Sequence, residues 1–386
     1  MIVLCLLLVP LAAAVSLPAT WGMIRLSRRL GMLDTAAMPG QIKDARRPIA
    51  NTGGVGIAAG LLLPMVAGLA VLAALAPPLP PPLAPLEPHL PGIREQFPLA
   101  LGFIASALAL HVLGLVDDRR PLGPFVKLAV MLVPPLLLAV FTDTRLLTAA
   151  DPYAGGTWLS VLVTVLWFGL VTNALNFLDN MDGLAGGVAA IASACLLAAS
   201  LVNGQWFVAA TLALLLGACL GFLCWNFPPA KVFMGDGGSL VLGFALAFLT
   251  TRITYFADPS DPAHPAGPPI PPPSTPFAVF MPLVVLAIPL YDFLSVTAIR
   301  LSQKRSPFVG DLQHFSHRLV KRGLSKRAAV LVIYGFTLVT GISGIALRSL
   351  EDWQAVLVGV QTAAILGVLA AFEFASSPAR RTEPRP

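Results

Sequence analysis

The chain has 386 residues, of which 56% are hydrophobic and only 11% charged, with a net charge of +6. Soluble domains carry about 25% charged residues, and disordered chains are poor in apolar ones, so both classes are excluded. The length divides instead into membrane spans, each needing about 20 mostly apolar residues.

Eleven such stretches are predicted, near 2–24, 52–76, 98–116, 123–142, 157–178, 184–203, 206–225, 237–256, 277–299, 328–348 and 353–375. They are rich in small residues, as in the run from Gly183 to Ala190, and small residues let helices approach closely in lipid. The runs are too long and alternate too little for strands. The expected fold class is an all-α integral membrane protein, a polytopic bundle of about 11 transmembrane helices. A single domain is expected over 1–376, with a short cytoplasmic tail at 377–386.

The first stretch has no basic region ahead of it, and Arg25, Arg28 and Arg29 follow it. That order favours an anchor with its N-terminus outside over a cleaved signal peptide. The cytoplasmic segments are then 25–51, 117–122, 179–183, 226–236, 300–327 and the tail. They hold twenty of the 25 Lys and Arg residues, while Arg94, Arg145, Arg252 and Arg348 fall opposite and Lys127 falls inside a span. This asymmetry supports the orientation and puts the C-terminus in the cytoplasm. The basic excess then faces anionic lipid, and no nucleic-acid partner is required. Two Pro-rich stretches, Pro77–Pro91 and Asp258–Pro276, fall outside and are expected to be extended, polyproline-like connectors. Cys5, Cys195, Cys219 and Cys224 lie within spans and read as small buried apolar residues, with neither a disulfide framework nor zinc spacing.

The polar clusters carry the chemistry. At the end of the third span, Asp117 and Asp118 are adjacent. Neighbouring carboxylates repel, so Arg119, Arg120 or a divalent cation is expected beside them, and oxygen ligands suit Mg²⁺. A charged turn that stops the helix is the alternative. At the end of the fifth span, Asn173, Asn176 and Asn180 recur at spacings that share one helical face, flanked by Asp179 and Asp182. Such groups cannot face lipid unpaired; they line a wet cavity or pair within the bundle. The turn from Gly235 to Gly238 leads into the eighth span, and glycines at a helix N-terminus form an anion site. Asp236 in that turn could hold a metal, and Lys231 adds positive charge; a flexible helix-entry turn is the alternative. No Walker loop is present.

Asp292 is an acid inside the ninth span, which marks a functional candidate or a structural pair with Arg300. In the longest cytoplasmic loop, His314, His317 and Arg318 cluster. His donates to phosphate or shuttles a proton, and Arg grips phosphate in a bidentate way. A basic segment lying on anionic lipid is the alternative. The expected topology places the acids, amides, glycine turn and His/Arg cluster on one membrane face, which describes a metal–phosphate site at an interface.

With these motifs in this order, the chain resembles the polyprenyl-phosphate N-acetylhexosamine-1-phosphate transferase family (glycosyltransferase family 4), from about residue 40 to residue 322. The family's paired acids are similar to Asp117-Asp118 and its N-x-x-N-x-x-D-G-x-D-G-L signature to Asn173–Leu184. Its G-D-x-G-S turn is similar to Gly235–Ser239, its P-x-x-D element to Pro289–Asp292, and its H-x-x-H-R element to His314–Arg318. The last element resembles the branch that uses a UDP-N-acetylhexosamine, the undecaprenyl-phosphate N-acetylglucosaminyl 1-phosphate transferases. The muramyl-pentapeptide branch instead carries a run of histidines there and usually ten spans. Asn180 departs from a usual glycine, and Ala45 and Asn51 stand where His and Arg are common in the family.

The resemblance implies transfer of a sugar-1-phosphate from a UDP-sugar to a polyprenyl phosphate at the inner (cytoplasmic) membrane of a bacterium, the first step of a cell-envelope glycan pathway. It implies Mg²⁺, with Mn²⁺ as the alternative ion. Asp236 would be the leading metal ligand, with Asp179 and Asp117 beside it. Asp117 and Asp118 would assist with metal or acceptor phosphate, and direct attack and a covalent aspartyl intermediate both stay open. Asn176, Asp179 and Asp182 would bind nucleotide or shape the metal site, and Asn173 would be a further substrate-binding residue. His314, His317 and Arg318 would hold the donor diphosphate or sugar, and Lys231 and Asp292 would be further substrate-binding residues. A homodimer is an open oligomeric state. The alternatives are phospho-N-acetylmuramoyl-pentapeptide transfer and, more remotely, a transporter, which would place polar groups near the bilayer midplane in repeated halves.

Overall fold

The computed structural model describes residues 1–31, 33–34, 49–142, 144–255, 275–307, 312–347 and 350–375. Ala45, most of the second Pro-rich stretch, residues 308–311 of the histidine loop and the tail lie outside them. The described residues form α1 (Ile2–Arg29), α2 (Gly54–Ala74), α3 (Leu90–Glu95), α4 (Phe97–Arg119), α5 (Pro124–Phe141), α6 (Asp151–Ala154), α7 (Trp158–Leu178), α8 (Leu184–Val202), α9 (Trp206–Asn226), α10 (Asp236–Tyr255), α11 (Thr275–Val285), α12 (Ala287–Ser302), α13 (Phe315–Lys321), α14 (Lys326–Ala346) and α15 (Asp352–Ala375). A two-residue antiparallel ribbon, β1 (Leu33–Asp34) with β2 (Ile49–Ala50), joins α1 to α2.

Among the described residues, ten helices are long and apolar enough to cross a membrane. The stretch expected as one span at 277–299 is divided into α11 and α12 at Leu286. Pro289 accounts for the break: it lacks an N–H, and its ring opposes the carbonyl of the residue four back, Val285, where α11 ends. The first Pro-rich stretch corrects a second expectation. Pro81–His89 is a 3-10 helix that runs into α3, not an extended connector. Proline fixes φ near −65°, which suits a 3-10 turn as well as polyproline geometry.

α10 is the central helix. Its apolar length is 94% buried, against 17% for α1 and for α15, so α10 is enclosed by protein while α1 and α15 are largely exposed. Aromatic rings from three helices meet there: Phe103 on α4 lies 4.9 Å from Phe248 and 5.6 Å from Phe244 on α10, and Phe168 on α7 lies 5.5 Å from Phe244. Each such pair adds about 0.5–1.5 kcal/mol beyond area burial. On the other flank α1 meets α9 through small residues, with Ser16 Oγ donating to Ala218 O at 2.8 Å. All four cysteines are free; three are buried as expected, whereas Cys224 is exposed.

Two local devices place the N-terminus of α10. The strand-like segment before it pairs with the entry to α2: Phe233 N donates to Ala50 O at 2.8 Å, and Gly53 N and Gly54 N donate to Phe233 O and Met234 O at 2.9 Å. α4 then lies directly against the turn, because Gly114 has no side chain. A Cβ there would lie 2.4 Å from the backbone of Asp236 and Gly237.

Candidate active site

α4 continues past its expected end at residue 116 to Arg119, so Asp117 and Asp118 are both helical. Gly235 takes φ +70°, which turns the chain so that Asp236 becomes the first residue of α10. Asp118 caps this helix. Its carboxylate accepts from Asp236 N at 3.1 Å and Gly237 N at 3.3 Å, and from Asn51 Nδ2 at 3.0 Å. A carboxylate at a helix N-terminus is favoured by the dipole and by the free N–H groups. The glycine turn was expected to offer these donors to phosphate; here they serve Asp118. His111 Nδ1 lies 2.7 Å from Gly237 O. A carbonyl only accepts, so that ring nitrogen carries the proton.

Lys127 joins the acids. From the first turn of α5 its Nζ lies 3.1 Å from Asp117 Oδ2 and also closes on Asp236 Oδ2. Asp117 further accepts from Leu122 N at 2.8 Å. The neutralising cation is therefore Lys127, while Arg119 and Arg120 are exposed. Asp236 Oδ1 accepts from Asn176 Nδ2 at 2.7 Å, and the same amide reaches Ser239 Oγ at 2.8 Å. α4, α5, α7 and α10 thus each contribute to one polar knot at one end of the bundle.

Asp179 lies just beyond α7. Burial pushes its carboxyl up to about 8, reinforced by the Asp236, Asp118 and Asp182 carboxylates and opposed by the Gly235 N–H. Of the three asparagines expected on one face, only Asn176 meets the acids. Asn173 Nδ2 donates within α7 to Gly169 O at 2.7 Å. Asn180 falls beyond the helix end, where its side chain accepts from Ser316 Oγ at 2.6 Å. Asp182 accepts from Ala230 N at 3.0 Å and so holds the loop on which Lys231 lies over Trp225, 5.1 Å from the ring centroid.

The histidine segment docks on the same motif: His314 meets Phe177 edge-on at 5.9 Å, beside the Asn180–Ser316 bond. Asp292 is fully buried and accepts from His314 Nδ1 at 2.9 Å and Phe315 N at 2.6 Å. Its partner is thus His314, while Arg300 Nη1 donates to Pro307 O at 2.6 Å. His317 is half-buried, and burial lowers its pKa, aided by His314, Lys321 and Lys326 and opposed by Asp292. A neutral imidazole is the state this favours at neutral pH. Arg318 is engaged by Glu373 on α15.

The residues to which the sequence assigned no site role are Lys127, Asn51, His111, Ser239 and Glu373. Lys127 carried a usable signal, since an ionisable residue inside a span marks a functional candidate. The carboxylate oxygens of Asp117, Asp179 and Asp236 are the hard donors that suit Mg²⁺. Among the described residues no three His, Cys, Asp or Glu side chains converge as a protein-only metal shell. That still fits Mg²⁺, which commonly takes one or two carboxylates and completes its shell with substrate phosphates and water. The two carboxylates on the one Lys127 ammonium, Asp117 and Asp236, also leave an excess of negative charge.

The sequence model of glycosyl transferase family 4 matches residues 100–254, which carry every acid of the knot. A Bacillus subtilis protein named "Probable undecaprenyl-phosphate N-acetylglucosaminyl 1-phosphate transferase" is 32% identical over 259 residues, covering 66% of this chain and 67% of that protein. The decaprenyl-phosphate N-acetylglucosaminephosphotransferase of Mycobacterium tuberculosis (strain H37Rv) is 31% identical, over 64% of this chain and 63% of its own length. A phospho-N-acetylmuramoyl-pentapeptide-transferase of Desulforudis audaxviator is 35% identical over a shorter region, 40% of this chain and 53% of that protein. The chain thus spans about two thirds of the length of the first two relatives.

Proposed function

The chain belongs to glycosyl transferase family 4, and on that premise we propose that it transfers an N-acetylhexosamine-1-phosphate, foremost N-acetylglucosamine-1-phosphate, from a UDP-sugar to polyprenyl phosphate. The acceptor is undecaprenyl phosphate and the released product UMP. The reaction runs at the cytoplasmic face of the inner membrane, with the N-terminus outside, as the first step of a cell-envelope glycan pathway. The observation that carries this reading is the knot in which Lys127 bridges Asp117 and Asp236, with Asn176 bonded to Asp236 and Asp118 bonded to the N-terminus of α10.

In the reaction an oxygen of the lipid phosphate attacks the β-phosphorus of the donor. The bond from that phosphorus to the bridging oxygen breaks, and the oxygen leaves on UMP. Two anions must be held together, so positioning and charge neutralisation dominate. Lys127 supplies fixed positive charge. Asp118 holds the N-terminus of α10 in place, and Asn176, itself bonded to Ser239, orients Asp236. Asp236, with Asp117 or Asp179 as the second carboxylate, would hold Mg²⁺, which would supply neutralisation of the diphosphate when bound. The lipid phosphate is already ionised near neutral pH, so Asp117 is not required as a base. His314 and His317 face the donor, His314 being held by Asp292 through Nδ1.

The muramoyl-pentapeptide reading is supported by a shorter match than the N-acetylglucosamine one. A transporter is not supported, because the polar groups sit at helix ends. A panel of UDP-sugars, incubated with the full chain, Mg²⁺ and undecaprenyl phosphate, tests the proposal. UMP release with UDP-N-acetylglucosamine is expected. Release only with the muramoyl-pentapeptide donor would move the chain to the other branch, and release with none would end the enzyme reading.

A further inference from the structure

Arg318 closes the motif in which a phosphate-gripping guanidinium is expected, yet four of its donors are spent inside the protein. Nε donates to Glu373 Oε1 at 3.0 Å, and Nη2 donates to Glu373 Oε2 at 2.9 Å and to Ser295 Oγ at 3.0 Å. Nη1 donates to Gln313 O. A guanidinium has about five N–H donors, so one is left. Glu373 is 4% exposed and also accepts from Tyr291 at 2.5 Å. Arg322, one turn further along, donates through Nη1 to Phe372 O at 2.6 Å. The last turn of α15 is thereby tied to both α12 and α13.

We propose that Glu373 is a positioning residue: it locks Arg318 in a fork-to-fork pair and so fixes the segment carrying His314 and His317, leaving the imidazoles rather than the guanidinium to meet the donor. What the imidazoles meet rests on the UDP-sugar reading; the strut itself does not. A paired carboxylate and guanidinium are mutually satisfied when buried, so removing either partner releases the same segment. This coupling separates a strut from a ligand, since a ligand arginine would act without Glu373.

The test uses the full chain in detergent with Glu373→Gln, Arg318→Ala and the double variant, and reads two quantities. The first is hydrogen exchange over residues 313–322. Glu373→Gln is expected to speed it about tenfold or more while leaving α4 and α10 unchanged, and unchanged protection would overturn the strut. The second is steady-state kinetics with UDP-N-acetylglucosamine. Both single variants are expected to raise the donor KM by about tenfold, with kcat and the lipid KM within about twofold, and the double variant no worse than either. A donor KM raised by Arg318→Ala but not by Glu373→Gln would make Arg318 the ligand and overturn the proposal. A wild-type chain that releases no UMP from any UDP-sugar would contradict the reaction, while the exchange result would still decide the strut. Should Glu373→Gln not fold, Tyr291→Phe removes one bond to the same carboxylate and is read in the same way.

Discussion

Lys127, in the first turn of α5, closes on Asp236, the first residue of α10 and 109 positions further along the chain. The same ammonium holds Asp117 at 3.1 Å. One cation thus ties the ends of three helices. Removing it leaves partly buried carboxylates facing one another without a counter-charge, which is destabilising. Lys127→Met is expected to lose about a hundredfold or more in kcat/KM and to lower the melting temperature in detergent. A variant with wild-type UMP release would remove Lys127 from the chemistry.

Asp236→Asn is nearly isosteric and keeps a bond to Asn176 available, so the fold should survive. Turnover should fall by about 10²–10³, the usual effect of losing one electrostatic contact at a reacting centre. Retained activity in a folded variant would take Asp236 out of the proposed metal site.

Asp118 caps α10, and caps distinguish between substitutions. Asn is as good a cap as Asp, whereas Ala costs about 0.5–2 kcal/mol. Asp118→Asn should therefore melt close to wild type, and Asp118→Ala should melt clearly lower. Equal melting of the two would deny the capping role.

The Asp179 carboxyl is pushed up to about 8 from an ordinary 3.8, by burial and by the surrounding carboxylates. Between those values the folded chain holds a proton that the unfolded chain has lost. Its stabilising contribution is therefore complete below about pH 4 and is lost as pH rises toward 8. With divalent cations chelated, stability should fall by on the order of 1 kcal/mol per pH unit from about pH 6 to about pH 8. Asp179→Asn should flatten that slope in thermal melts. An identical slope in both proteins would assign it to other groups.

Much of this was legible in the sequence, for physical reasons. Lipid penalises unpaired polar groups, so Asp117, Asp118, Asn176 and Asp236 stood out against the apolar background. Hydropathy located the helices to within a few residues. What stayed hidden were partnerships across long separations. Lys127 was visible as a charge inside a span, but nothing local to it pointed to Asp236. Glu373 is a lone acid in the last apolar stretch, and its partner lies 55 positions away. The Pro-rich stretch misled because a φ near −65° fits two conformations. The break at Leu286 had a readable signal in Pro289 that hydropathy, which averages over about 20 residues, smoothed away. Asn180 missed the shared face because α7 ends at Leu178, and the asparagine spacing alone does not mark that end.

The proposed reaction moves the donor's β-phosphate together with its sugar. That phosphorus can be followed with UDP-N-acetylglucosamine labelled at the β-phosphate, undecaprenyl phosphate, Mg²⁺ and the full chain. The label is expected to move into the lipid fraction while unlabelled UMP appears in the aqueous one. Label remaining in the aqueous phase as UDP, with sugar alone reaching the lipid, would contradict it.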